Sequence, residues 1–337
     1  MSTRSRHVEL AARPRGWPVA SDFRLAETTV PEPASGQALV RNLVMSLDPG
    51  MRPRMNDVRS YLPPYQLGQP LDGEAIGEVV QSRSGLLRPG DIVLHRLGWR
   101  EHALLDAGSV TRVDVGAAPV NAYLGVLGTA GLTAYVGLTE SARVHPGDTV
   151  WISAASGAVG QVAGQLARLR SAGRVIGSAG SAEKVSRLID ELGFDAAFNY
   201  HDGRVRDLLA RAAPEGIDVY FDNVGGDHLE AAIAAANVHA RFVICGAMSA
   251  YNELDPPAAP RNLGLVIGKR LTLQGLLVFD HLPLRDQFIA EVAPLVATGA
   301  LRYRESVIAG LDNAAAAFIQ MLRGETHGKT LVQLTPP

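Results

Sequence analysis

One stretch restricts the fold more than any other: TVWISAASGAVGQVAGQLARL, residues 149–169. A buried strand runs through a turn of small residues into a helix, the order in which a mononucleotide-binding βα unit is built. The turn Ala155-Ser156-Gly157-Ala158-Val159-Gly160 is a GxGxxG fingerprint with alanine in the first place. Gly157 lets the backbone approach a pyrophosphate, Ala158 and Val159 complete the loop, and Gly160 lets helix and strand pack closely. The helix start then offers unbonded N–H groups and a partial positive charge to phosphates. A bare βα packing turn has the same local pattern, so the surrounding units carry the weight.

Those units follow in series. RVIGSA precedes SAEKVSRLIDELG, AAFNY precedes GRVRDLLARAA, IDVYFDNV precedes GDHLEAAIAAAN, and HARFVICG closes the run. Alternation of this kind predicts a parallel sheet with helices on both faces, an α/β Rossmann architecture. A Pro-rich loop over residues 252–262, a strand LTLQGLLVF and a helix over 284–297 come next. The first 120 or so residues differ, with short β-like runs (QALVRNLVMSL, AIGEVVQSR, DIVLHRL, HALL) between turn signals such as RPGD, which predicts a mostly β domain. Residues 121–138 read as helical, and the tail RESVIAG, LDNAAAAFIQMLRG, KTLVQL fits either domain.

The second strand of the series bears on the ligand. An Asp or Glu about 20 residues past the first glycine would accept hydrogen bonds from the ribose 2′-OH of NAD. Near that place stand Gly177, Ser178, Ala179, Gly180 and Ser181. A 2′-phosphate would be repelled by a carboxylate and held by hydroxyls, backbone N–H groups and a cation. Lys184, one of only three lysines with Lys269 and Lys329, follows in the first turn of the next helix, and Tyr200 at the end of AAFNY adds a hydroxyl and a stacking face. The residues favour NADP(H) over NAD(H); the alternative for Lys184 is a solvated helix position.

With these motifs in one order, the chain resembles the medium-chain dehydrogenase/reductase superfamily. It is most similar to the zinc-independent branch of prostaglandin reductases, leukotriene dehydrogenases and plant 2-alkenal double-bond reductases. MSLDPGMRPRM, GTAGLTAYVGL, SGAVGQVAGQLARL, GSAEKVSRLIDELGFDAAFNY, YFDNVGGDHLEAAIAAANVHARFVICGAMSAYN and GETHGKTLVQL carry the resemblance over nearly the whole chain. It implies a mostly β, GroES-like catalytic domain from residues 1–120 and 300–337, and a Rossmann NADP(H) domain over 121–299. It implies that Gly180, Lys184 and Tyr200 serve the 2′-phosphate end, and that Asn223, Cys245 and Gly246 line the cofactor further along. Leu276, Leu277 and Val278 would flank the nicotinamide, with Thr133 near its amide and Thr326 where relatives often have Asn. Tyr251 of GAMSAYN matches the tyrosine that hydrogen-bonds the substrate oxygen. Gly50 stands where relatives usually carry a pocket tyrosine. A homodimer is also implied.

Composition excludes other classes. Net charge is −2, which argues against a nucleic-acid or anionic-membrane partner. No stretch approaches the length of a bilayer span, no apolar run follows the basic residues near the start, and Cys245 is the only cysteine. A cytoplasmic protein is the expectation. One cysteine and scattered histidines do not match zinc-site spacings, and no GxSxG elbow occurs. Without a Lewis acid, hydride addition to the β-carbon of an α,β-unsaturated aldehyde or ketone is the expected reaction. Alternatives are a quinone reductase, a biosynthetic reductase for a larger enone, and a cofactor-binding protein without turnover.

Overall fold

The computed structural model describes residues 2–255 and 258–334. By contact they form two compact units, Met1–Leu124 with Glu305–Pro337, and Gly125–Arg304.

In the first unit, Thr3–Leu10 and Phe23–Val30 pair antiparallel. A larger sheet runs in the order Glu305–Ala309, Lys329–Gln333, Gln37–Leu47, Ala75–Ser82, Ile92–His95, Thr111–Arg112, and His102–Asp106 also pairs with Gln37–Leu47. QALVRNLVMSL is buried along most of its length because both its faces are covered. Val40 packs in one apolar cluster with Val79 and Val93, while Met45 and Leu47 join a second around Trp99. In that second cluster Phe23 stacks on Trp99 with ring centres 6.2 Å apart, and Phe318 meets both rings edge-on at 6.2 and 6.0 Å. Phe318 lies on the helix Ala314–Leu322, so the tail supplies core as well as sheet to this unit.

The second unit holds six parallel strands. From residue 149 onward its strands and α-helices are β1 (Thr149–Ile152), α1 (Gly160–Leu169), β2 (Arg174–Ala179), α2 (Ala182–Asp190), β3 (Ala196–Asn199), α3 (Val205–Ala212), β4 (Ile217–Asp222), α4 (Gly226–Ala235), β5 (Ala236–Ile244), α5 (Gly264–Lys269), β6 (Thr272–Gly275) and α6 (Arg285–Ala297). The strand order is β3-β2-β1-β4-β5-β6, so the direction of winding reverses between β1 and β4. Trp151, Ile176, Phe198, Tyr220 and Phe242 give one face a shared apolar core. In doubly wound sheets ligands gather outside the carboxyl ends of the strands at such a reversal.

Three expectations are adjusted. Residues 121–138 hold one short α-helix, Thr129–Val136, preceded by the 3-10 turn Val120–Leu124 and followed by a π turn, Gly137–Ser141. Glycines at 125, 128 and 137 interrupt what the apolar pattern alone would continue. LTLQGLLVF pairs as a strand only to Gly275 before the 3-10 segment Val278–Leu284 takes over. Tyr200 does not end β3 but opens a 3-10 turn, because the Asn199 side chain accepts from the His201 N–H at 3.2 Å. The loop over 252–262 includes Pro256 and Pro257, which lie outside the described residues. No helix among the described residues is long and apolar enough to cross a membrane.

Candidate functional site

At the end of β1 the chain turns sharply. Ala154 adopts φ 49°, uncommon for a residue with a side chain. The Gly157 N–H donates to the Ala154 carbonyl at 3.0 Å, and the Ala155 N–H donates to the Ser178 carbonyl of β2 at 2.9 Å. A Cβ on Gly160 would sit 2.5 Å from the Ala154 oxygen and 2.6 Å from the Ala155 Cα, so only hydrogen fits there. Gly157, Ala158 and Val159 are partly exposed at the tip, ahead of the helix amides.

Behind this loop α1 is tied down by two buried glutamines. Gln161 and Gln165 accept from the Arg304 and Arg302 N–H groups at 3.0 and 2.8 Å and donate to the carbonyls of the same two residues at 3.2 and 2.7 Å. Arg187 of α2, also buried, donates to Gln161 Oε1 at 3.2 Å.

The end of β2 carries no carboxylate of its own. A Cβ on Gly180 would lie 2.9 Å from the Tyr200 hydroxyl and 3.2 Å from Cζ, so the bare glycine lets the phenol close over the strand end. Ser181 caps α2, its hydroxyl accepting from the Lys184 N–H at 3.3 Å. The Lys184 side chain is buried, and burial lowers its pKa while neighbouring Glu183 opposes the shift. Burial also raises the Tyr200 phenol. Ser178, counted among the hydroxyls near this place, is fully buried inside β2 and does not contribute there. His228, which sequence reasoning did not single out, stacks on Trp151 at 5.8 Å and meets the Tyr200 ring edge-on at 5.4 Å.

Asp222, at the end of β4, organises the next two loops. Its Oδ1 accepts from the Tyr220 hydroxyl at 2.8 Å and from the Val224 and Gly225 N–H groups at 2.9 and 2.8 Å. Its backbone carbonyl accepts from the Cys245 and Gly246 N–H groups at 2.9 and 3.0 Å. Asn223 is held by Ser153, whose hydroxyl accepts its N–H at 2.9 Å and whose carbonyl accepts from Nδ2 at 2.8 Å. Burial, with Asp222 adding, pushes the Cys245 thiol up to about 12, so it is no nucleophile at neutral pH. The signal for Asp222 was present in the sequence as an acid closing a strand before Asn-Val-Gly-Gly, but only the fold shows what it bonds.

Tyr251 follows the 3-10 turn Met248–Ala250, and its hydroxyl accepts from the Ala247 N–H at 3.4 Å. Ser249 donates to the Val224 carbonyl at 2.6 Å, fastening this turn to the Asn223 loop. The Thr133 hydroxyl donates to the Thr129 carbonyl at 2.7 Å within its own helix. Leu276 donates its N–H to Ile244 at 3.0 Å, and Leu277 and Val278 follow at the end of β6. The second unit therefore brings most of the expected residues to the carboxyl ends of its strands. Gly50, in the turn Pro49–Met51, and Thr326, whose hydroxyl accepts from Thr330 at 2.9 Å, belong to the first unit. Among the described residues no group of three or more His, Cys, Asp or Glu could hold a metal ion.

Residues 6–113 match the family described as the N-terminal domain of oxidoreductase, and residues 158–298 match the family described as zinc-binding dehydrogenase. The chain is 38% identical to the NADPH-dependent curcumin reductase of Escherichia coli, over 98% of this chain and 97% of that protein. It is 37% identical to the NADP(+)-dependent 2-alkenal reductase of Nicotiana tabacum, over 95% and 94% of the two chains. The crystal structure of CurA from Vibrio vulnificus in complex with NADPH superposes with a TM-score of 0.93 at 36% identity, covering 98% of this chain and 100% of that one. The chain thus belongs to the medium-chain dehydrogenase/reductase superfamily, in the zinc-independent branch that holds the curcumin, 2-alkenal and prostaglandin reductases.

Proposed function

We infer that the protein is an NADPH-dependent oxidoreductase that reduces the C=C bond of α,β-unsaturated aldehydes or ketones without a metal. The observation that carries the cofactor choice is the end of β2, where the Tyr200 hydroxyl closes over Gly180 and the buried Lys184 follows. A ribose 2′-phosphate fits that setting, where a lysine cation, a phenol and a helix N-terminus meet and no carboxylate ends the strand. The reaction class is supported by relatives named for alkenal and curcumin reduction.

NADPH, when bound, supplies a hydride for the β-carbon of the enone. In this reading Gly157, Ala158, Val159 and Gly160 cradle its pyrophosphate, and Gly180, Lys184 and Tyr200 hold its 2′-phosphate. Asn223, Cys245, Gly246, Leu276, Leu277, Val278, Thr133 and Thr326 line the remainder. Residues 121–299 act as the cofactor domain, and residues 1–120 with 300–337 as the substrate domain, with Gly50 bordering the substrate. Tyr251 donates its phenolic proton in a hydrogen bond to the carbonyl oxygen, where negative charge gathers. The Ala247 N–H orients that phenol. Tyr251→Phe lowers turnover of an enone about tenfold or more, as expected for losing one oxyanion donor; activity within about twofold of wild type removes Tyr251 from the mechanism.

A cytoplasmic homodimer completes the reading. All four residues of the edge strand β6 are exposed, as are Leu265 and Ile267 on the preceding α5, so an open strand edge with apolar side chains next to it in the chain is available to a second copy. Light scattering on Ile267→Asp, compared with wild type, tests that pairing. The function itself is tested by following NADPH absorbance with a 2-alkenal, an enone and a quinone, and with NADH in place of NADPH. Consumption with the alkenal or enone, slower with NADH, supports it; a flat trace with every acceptor refutes it.

A further inference from the structure

Gly50 presents a bare backbone. A Cβ built there meets one heavy atom within 4 Å, the hydroxyl of Tyr61 at 3.7 Å. The turn under Gly50 is fixed: buried Lys329 donates to the Leu47 carbonyl at 3.2 Å and pairs with Asp48, two residues before the glycine.

Tyr61 arrives from a loop with a clamped neck. Arg52 donates to Asn56 Oδ1 at 2.8 Å and to the Gly16 carbonyl at 2.6 Å. Arg13 donates to the carbonyls of Met55 and Tyr65 at 3.0 and 3.3 Å, joining the two sides of the loop. Arg54 donates to the Pro63 carbonyl at 3.0 Å and to the Tyr65 hydroxyl at 3.1 Å, and pairs with Asp72. Three arginines thus hold residues 55, 56, 63 and 65 in place. Between them the tip carries Val58 at 64% and Tyr61 at 63% exposure. An aromatic side chain this exposed adds little to the core, yet its polar end is delivered to the bare backbone of Gly50.

We propose that Tyr61 is the specificity-determining residue of the substrate pocket, its phenol serving from the loop as the wall that residue 50 does not provide. This rests on the reading that Gly50 borders the substrate. A wall on a loop tip, rather than on the rigid turn at residue 50, closes against a small planar alkenal and gives way to a bulky diaryl enone.

The test is kcat/KM for trans-2-hexenal and for curcumin with wild type, Tyr61→Ala, Gly50→Tyr and the double variant. Tyr61→Ala lowers kcat/KM for hexenal about tenfold, mainly through KM, and changes curcumin by less than about twofold, as expected for removing one side of a pocket from the small substrate alone. Gly50→Tyr in the Tyr61→Ala background restores hexenal to within about threefold of wild type, a rescue that a purely structural role for Tyr61 would not give. NADPH binding, followed by fluorescence, and the melting temperature confirm that each variant is folded; Gly50→Ala with Tyr61→Trp replaces the tyrosine variant should it fail to fold, and shifts the hexenal-to-curcumin ratio toward hexenal. An unchanged ratio with Tyr61→Ala, or no rescue in a folded double variant, overturns the assignment and leaves the proposed reaction standing. No turnover of either substrate by wild type overturns both.

Discussion

Replacing Lys184 by alanine removes a cation from a buried residue in the first turn of α2, which follows the β2 end where Tyr200 meets Gly180. Two unit charges 4 Å apart at an effective dielectric near 20 attract by about 4 kcal/mol. Competing water and the phosphate's own hydration return part of that, and a charge-assisted hydrogen bond has a net worth of about 1.5–3 kcal/mol. Lys184→Ala therefore weakens NADPH binding by about 10- to 150-fold, while NADH, which has no 2′-phosphate, changes by less than about twofold. Calorimetric or fluorescence titration with both coenzymes reads the difference directly. A pH series adds a second arm. Burial sets the Lys184 pKa below its ordinary 10.5, so the charge, and with it the preference for NADPH, is lost as pH rises through that lowered value. The alanine variant has no such preference to lose. Equal weakening of both coenzymes, or less than about threefold for NADPH, refutes the assignment of Lys184 to the phosphate.

Three other outcomes follow from single contacts. Gly160→Ala places a methyl 2.5 Å from the Ala154 oxygen and costs about 1–3 kcal/mol of stability, with NADPH and NADH weakened alike, as thermal melts and titrations would record. His228 is buried, and its pKa is lowered to about 4, so it stays neutral in the folded protein while the unfolded chain protonates near 6.5. The stability it confers is full above pH 6.5 and is lost as pH falls toward 4, so His228→Phe shrinks the difference in urea stability between pH 7 and 4.5 by about 2 kcal/mol. The Cys245 thiol, half-buried and pushed up to about 12, reacts with iodoacetamide at pH 7.5 roughly a hundredfold or more slowly than free cysteine; a comparable rate contradicts the raised pKa.

The parts of the site that lie within one βα unit could be read from the sequence. The span of β2, Arg174–Ala179, coincides with RVIGSA, and the tight packing at Gly160 is what a small-residue turn before an apolar helix requires. Contacts between distant segments could not. The fit of Tyr200 over Gly180 depends on β3 lying beside β2, and the clasp of Gln161 and Gln165 on Arg304 and Arg302 joins residues far apart in the chain. The same holds for Tyr61 at Gly50, since nothing in a loop's composition says which backbone it returns to. Ser178 shows the opposite error: a hydroxyl at the right sequence distance, enclosed because its parallel strand is covered on both faces.

The strand Lys329–Gln333 pairs with the stretch Val44–Leu47, about 280 residues earlier, and Phe318 arrives with it to cover Phe23 and Trp99. During synthesis the first unit therefore waits. At about 5–20 residues per second, the 180 residues between its two pieces take about 9–36 s to emerge. Throughout that interval one strand edge and two aromatic rings lack their partners, while the continuous segment Gly125–Arg304 can complete its own sheet. The order of translation thus makes the first unit the stage at which a nascent chain is most exposed to misassociation, and the last strand the step that ends the exposure.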